Sequence, residues 1–206
     1  MHAKVQMTPT LPTYVNTPEA SGHFMKVLAG HPGFRGVHLM LQIGSRRGFS
    51  VTLWDSREDA EAASDRTQHV MGPRPFTLEF DGVYEVMASD AGPAAVADAT
   101  VAQVLWFDGP LSAAQVNAMR RAGEERIRPA VEQVSGHAAT YVLCHTEDSA
   151  IVVIVLATST DALNRIADAA LTTPLLPGED PALLIGPDRI ELYTHDAYSL
   201  AEAPVS

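Results

Sequence analysis

Cysteine is almost missing from this 206-residue chain: Cys144 stands alone, which excludes an internal disulfide framework and fits a reducing, cytoplasmic setting. Long apolar runs are missing too. The longest, "AIVVIVLA" at 150–157, is far too short to cross a bilayer, and the first ten residues, "MHAKVQMTPT", hold no apolar signal-peptide core. Basic residues are few: 14 Lys and Arg against 25 Asp and Glu give a formal net charge of −11. Nucleic acids and anionic membranes are read by basic surfaces, so neither is expected as a partner. The eight histidines include no pair four residues apart on a helix and no quartet with cysteine, which argues against a dedicated metal site. Glycine-rich phosphate loops are absent as well, so no nucleotide or other cofactor is expected.

What is present is a chain that can build a core, with 46% hydrophobic residues and 19% charged. The small-residue stretch "SDAGPAAVADA" at 89–99 reads as a linker. The expected division is a domain over 1–90, a linker over 91–99 and a second, divergent domain over 100–206. Sliding the second part back by 103 positions lays "GHAATYVLCHTEDSAIVVIVLATSTDAL" over "GFRGVHLMLQIGSRRGFSVTLWDSREDA" without a gap. Few residues are identical, but the pattern repeats: a glycine, an alternating strand, a polar turn, an apolar strand and an acidic, Ser/Thr-led helix start. A period that long means two copies of one domain rather than a solenoid.

Each copy reads as strand, helix, strand, strand, helix, strand. In the first, 2–8 alternates with Ala3, Val5 and Met7 on one face and His2, Lys4 and Gln6 on the other. Residues 18–30 read as a helix with Thr17 as N-cap and Pro18 in the first turn, 34–43 and 49–54 as a hairpin, and 76–87 as the last strand. In the second, strands are expected at 100–107, 137–144, 150–157 and 188–195, with helices from Ser112 to about Val134 and over 160–171. The insertion at 171–188 has no counterpart of its size and reads as a lid or surface loop. Such a βαββαβ unit is ferredoxin-like, an α+β arrangement with both helices on one face of an antiparallel sheet. The other face carries Met40, Thr52 and Trp54 in one copy and Tyr141, Leu143, Val152, Ile154 and Leu156 in the other. Faces this apolar need partners, so the two units are expected to pack sheet to sheet as an intrachain pseudo-dimer. Association of two chains as a homodimer stays open.

"HPGFRGVHLML" followed by "GFSVTLWDSREDAEAAS" resembles the antibiotic biosynthesis monooxygenase-like branch of the dimeric α+β barrel superfamily. In that family a Pro-Gly-Phe turn leads into the second strand, and the third strand ends on Trp before an acidic helix. The resemblance is clearest over 31–65. It implies a barrel closed by two ferredoxin-like units, each with a cavity between sheet and helices. Members include cofactor-free quinone-forming oxygenases and haem-degrading enzymes. The haem-degrading members place a second Trp and a His ligand where this chain has Ala63 and Pro73. The phenol-oxidising members use a Trp and a Tyr around the second helix, and residues 56–72 hold neither.

The expected function is therefore a cofactor-free monooxygenase-like protein acting on an aromatic or polyketide-like molecule. The alternative is a non-catalytic module of the same fold that binds an apolar ligand or only assembles, with haem binding through His23 or His69 as a weaker idea. Tyr14, Asn16 and His23, in the segment leading into the first helix, are the candidate catalytic residues: Tyr and Asn would orient a carbonyl or phenol, and His would take a proton. Phe24, His38 and Trp54 are the candidate ligand contacts. Trp54 is either an aromatic wall or a seam filler. Cys144 is expected in the core, since it and His145 point to opposite sides of a strand.

Overall fold

The computed structural model describes residues 1–10, 18–73 and 76–199. The chain forms two compact units, one of Met1–Glu85 with the chain from Thr194 on, the other of Val86–Tyr193.

In unit 1, β1 (His2–Thr8) is followed by α1 (Pro18–Ala29), the hairpin β2 (Phe34–Gln42) and β3 (Gly48–Trp54), α2 (Arg57–Met71) and β4 (Phe80–Ala91). β1 is a central strand, antiparallel to β3 on one side and β4 on the other. β2 lies beyond β3 and takes β8 (Arg189–Ser199) on its outer edge. Ser56 caps α2 by accepting a hydrogen bond from the Asp59 amide, and Glu58 and Asp59 occupy the first turn, where a helix favours negative charge. The expected cap of α1, Thr17, lies outside the described residues.

The sheet of unit 1 buries both faces. Against the helices sit Leu28, Phe34, Val37, Trp54, Ala60 and Ala63, flanked by half-buried Phe24, Met25, Leu39 and Val83. The opposite face holds Ala3, Val5, Met7, Met40, Phe49, Val51, Leu53 and Tyr84, all buried. Met40 is thus on the expected face, whereas Thr52 and Trp54 are not. Val37 pairs with Thr52, so the two share a face, and Val37 packs with Leu28 and the α2 alanines. Cross-strand partners point to the same side of a sheet, which puts Trp54 under the helices.

Unit 2 contains β5 (Val101–Phe107), α3 (Ala113–Ala122), β6 (His137–Cys144), β7 (Ile151–Ala157) and α5 (Thr160–Thr172). The helix expected to run unbroken from Ser112 instead passes through a π turn over Gly123–Ile127 into α4 (Arg128–Val131). Ser112 caps α3 with a capping box to Gln115. The helix-facing core is Val131, Val155, Ala157, Ala162, Leu163 and Ile166. Ile185, from the insertion, packs with Phe107, Leu111, Val116 and Met119. Tyr141, Leu143, Val152, Ile154 and Leu156 occupy the other face, as their alternation requires. Cys144 is half-buried rather than in the core, at the strand end where Sγ lies 3.8 Å from the His145 carbonyl.

Several positions 103 residues apart share local geometry. Gly33 and Gly136 have φ +71° and +88°. The Asp55 amide donates to Gly33 O at 2.8 Å, and the Thr158 amide to Gly136 O at 2.9 Å. Ser56 and Ser159 cap corresponding helices, and each hairpin has a bulge after Phe34 or His137. The stretch 88–91 continues β4 beyond the expected strand end, and residue 92 follows beside β6. The Gly92 amide donates to Ala138 O at 2.8 Å, and a Cβ at Gly92 would collide with the His137 carbonyl. Only glycine permits that approach. Among the described residues no helix is long and apolar enough to cross a membrane.

Candidate functional site

Beneath helices α1 and α2 of unit 1, the side chains on the helix-facing side of the sheet differ from those of unit 2 position by position. Reading the paired strands β1 and β3, the helix-facing residues are His2 opposite Trp54, Lys4 opposite Thr52 and Gln6 opposite Ser50. On β5 and β7 the same places hold Val101 opposite Ala157, Gln103 opposite Val155 and Leu105 opposite Val153. Unit 1 sets a charge, hydroxyls and an indole on the helix-facing side of its sheet; unit 2 sets aliphatic side chains there with a single amide.

Trp54 is fully buried in the core between sheet and helices. Its indole N–H donates to Thr52 Oγ1 at 2.8 Å, within strand β3 rather than to a backbone carbonyl. The Phe34 ring meets it edge-on at 5.3 Å, and His31 lies over it with centroids 6.4 Å apart. His31 Nε2 is 3.3 Å from Thr67 Oγ1 on α2. Burial, and then the nearby Arg66 guanidinium, hold the His31 pKa below its ordinary value, favouring the neutral ring. Lys4 is buried, with its side chain 9% exposed, and its ammonium pairs with Asp81 on β4 at 3.1 Å. Gln6 Nε2 donates to Asp81 Oδ2 at 3.2 Å and contacts Ser64 Oγ of α2 at 3.1 Å.

Of the expected site residues, Tyr14 and Asn16 lie outside the described residues. His23 is exposed on α1, while its neighbour Phe24 is half-buried and packs into the cluster that contains Trp54. His38 lies on the opposite face of the sheet, opposite Val51, with Nδ1 3.0 Å from His195 Nε2. Phe24 and Trp54 are thus brought together, and His38 is not with them. His69 is exposed in the last turn of α2, and no group of three His, Cys, Asp or Glu side chains among the described residues could hold a metal ion. Lys4 is the site residue that its alternation hides. The polar side of β1 reads as an outer face, yet a central strand of a helix-covered sheet has none. In unit 2, an open depression of about 390 Å³ lined by Pro93, Ala94, Gln133, Ser135, Gly136 and Thr158 presents no charged side chain.

No family model matches the chain, and no curated protein does. Solved structures do. An anthrone oxidase-like protein is 17% identical, with TM-score 0.58 over 98% of this chain and 94% of its own. A ferredoxin-fold protein related to antibiotic biosynthesis monooxygenases, from Listeria monocytogenes, is 10% identical with TM-score 0.51 over 95% of each chain. The chain has the antibiotic biosynthesis monooxygenase-like fold. A mutant chlorite dismutase from Candidatus Nitrospira defluvii extends the likeness, at 10% identity and TM-score 0.61 over 95% of this chain and 91% of its own. At such identities the monooxygenase-like architecture is shared, and chemistry has to be argued from side chains.

Proposed function

We propose that unit 1 binds a planar, largely apolar molecule in its helix–sheet cleft and acts on it as a cofactor-free monooxygenase-like enzyme. The substrate class is aromatic or polyketide-like, the location cytoplasmic. The observation that carries this reading is the contrast between the two floors. The aliphatic floor of unit 2 is sufficient for the fold, so the polar and aromatic floor of unit 1 needs a further reason. Phe24, Met25, Leu39 and Val83, half-buried around the Trp54 cluster, are the apolar contacts. The chemistry asked of the protein is modest. A methylene flanked by two aryl rings that are conjugated to a carbonyl is acidic enough to lose a proton to a general base, and the resulting anion reacts with dioxygen. The methylene carbon loses both its hydrogens and keeps one oxygen atom as a carbonyl, while the other oxygen atom leaves with those hydrogens as water. The electrons that reduce dioxygen all come from the substrate carbon, so none is drawn from elsewhere. His23, exposed on α1 beside half-buried Phe24, is the candidate base; Tyr14 and Asn16 are the candidate orienting groups.

Incubation with a dihydroxyanthrone tests this directly, with dioxygen uptake and anthraquinone absorbance followed together. The expected result is uptake above the buffer rate, equal to quinone formed and lowered in His23→Ala. No uptake above buffer overturns the enzyme reading. A non-catalytic ligand-binding module is the second reading, favoured by the exposure of His23 and the complete burial of Trp54. It requires ligand binding without turnover. A haem titration that leaves the Soret band unchanged removes the haem alternative.

A further inference from the structure

We infer that Lys4 is an anion receptor on the floor of the unit 1 cleft, and that Asp81 occupies the position of a ligand's carboxylate. The inference rests on the reading that this cleft takes a planar apolar molecule, and it narrows that molecule to an aromatic carboxylate.

An ammonium has three N–H donors and no acceptor. Lys4 is 8% exposed, and among the described residues the one acceptor given to its ammonium is Asp81. Charged groups are seldom buried to this extent without complete pairing, because desolvation costs more than one partner returns. The fold does not ask for the charge: Gln103 fills the equivalent place on β5, and Val155, opposite it, replaces Thr52. Lys4 is therefore a charge that the other unit builds the same place without.

Asp81 is suited to give way. Its side chain is 34% exposed, so the carboxylate can turn into water at little cost. Gln6, anchored to Ser64 on α2, donates to the other carboxylate oxygen and can keep that hydrogen bond as the partner changes. Lys4 lies opposite Thr52 on one side and Val83 on the other. A ligand carboxylate on Nζ thus sets its ring beside Val83, which packs with Phe24 and Met25 around the Trp54 cluster. Long-range attraction does not supply the preference, since the net charge of −11 repels anions. Selection for a carboxylate has to come from a local contact.

Isothermal titration of the full chain with 2-naphthoate and with 2-naphthamide separates the possibilities, the two probes differing in charge but hardly in shape. The carboxylate is expected to bind about tenfold tighter than the amide, as charge-assisted pairing in a desolvated site allows. Lys4→Met, which keeps the stem's volume, should abolish that preference. Asp81→Asn should raise naphthoate affinity about tenfold by removing the competing carboxylate, and it decides the question even if Lys4→Met fails to fold. Equal binding of both probes to the wild type overturns the inference and leaves the cleft reading standing. So does a preference that survives Lys4→Met, or naphthoate affinity unchanged in Asp81→Asn. Binding of neither probe overturns both.

Discussion

Replacing Trp54 by alanine removes the largest fully buried side chain among the described residues. Trp→Ala in a packed core costs about 3–5 kcal/mol, transfer and cavity together. Three features put this site at the upper end. The ring is wholly covered, Phe34 loses an edge-to-face partner at 5.3 Å, and the Thr52 hydroxyl loses its donor at 2.8 Å. The last two account for about 1 kcal/mol each. Among the described residues Thr52 then retains a long contact to the Lys4 carbonyl at 3.5 Å, so its hydroxyl is poorly compensated. The expected loss is about 5 kcal/mol, a large part of the roughly 5–15 kcal/mol typical of folded domains. Trp54→Phe keeps most of the apolar area and loses the hydrogen bond, so about 1–2 kcal/mol is expected. Urea titrations followed by far-ultraviolet circular dichroism provide both values from the shift in midpoint and the slope. A loss below about 2 kcal/mol for Trp54→Ala, within the range of an ordinary half-buried residue, would refute the packing account of this cleft.

Glycine at the repeated corner is tested by Gly136→Ala and Gly44→Ala. Both have positive φ, but an added Cβ at 136 meets the Ala162 Cβ at 2.8 Å while at 44 it meets open space. Both variants carry about 1–2 kcal/mol of backbone strain, and Gly136→Ala should cost at least about 1 kcal/mol more in the same titration. Burial and then His195 push the His38 pKa down to about 3, so the native state holds it neutral while the unfolded chain takes up a proton near its ordinary value of 6.5. Its contribution is complete above about pH 6.5 and is lost as pH falls toward 3. That amounts to about 2 kcal/mol between about pH 7 and about pH 5, and His38→Gln should flatten that part of the stability profile. Arg126 and Glu179 form an ion pair at 3.0 Å with side chains 10% and 3% exposed, tying the π turn to the insertion. Arg126→Gln leaves a buried carboxylate and should cost about 3 kcal/mol, with faster proteolytic cleavage within residues 173–188 as the readout.

Much of the architecture was legible because its signals are local. A cap at Asp55 or Ser56 ahead of acidic Glu58 and Asp59, the Ser/Thr-led start of the corresponding later helix, and the alternation of β6 and β7 each follow from chemistry within a few residues. The phase of β3 was not legible. In "GFSVTLW" Phe49, Val51 and Leu53 alternate with Ser50, Thr52 and Trp54, and the structure covers both sets, so periodicity cannot say which side meets the helices. The pairing of Val37 with Thr52 decides it, and that is a tertiary fact. The repeat carried a clue, since Val153, Val155 and Ala157 stand at these positions. Lys4 was obscured differently: polar alternation means a wet face on an edge strand but a buried polar floor on a central one. Sequence spacing does not report which kind of strand β1 is. Phe24 packs against the Trp54 cluster while His38 lies on the other face, a separation set by strand facing that only the pairing reveals.

The long strand β8 has a consequence for biosynthesis. Its later residues belong to unit 1, where Thr194 Oγ1 donates to the Leu41 carbonyl across 153 positions of chain. While the ribosome is still translating unit 2, β2 therefore waits with an open row of backbone donors and acceptors. Such an edge recruits neighbouring strands and slows folding through the distance its partner must travel. A nascent chain halted short of residue 194 would emerge with that edge bare, making it a natural client for chaperones that shield unpaired strands.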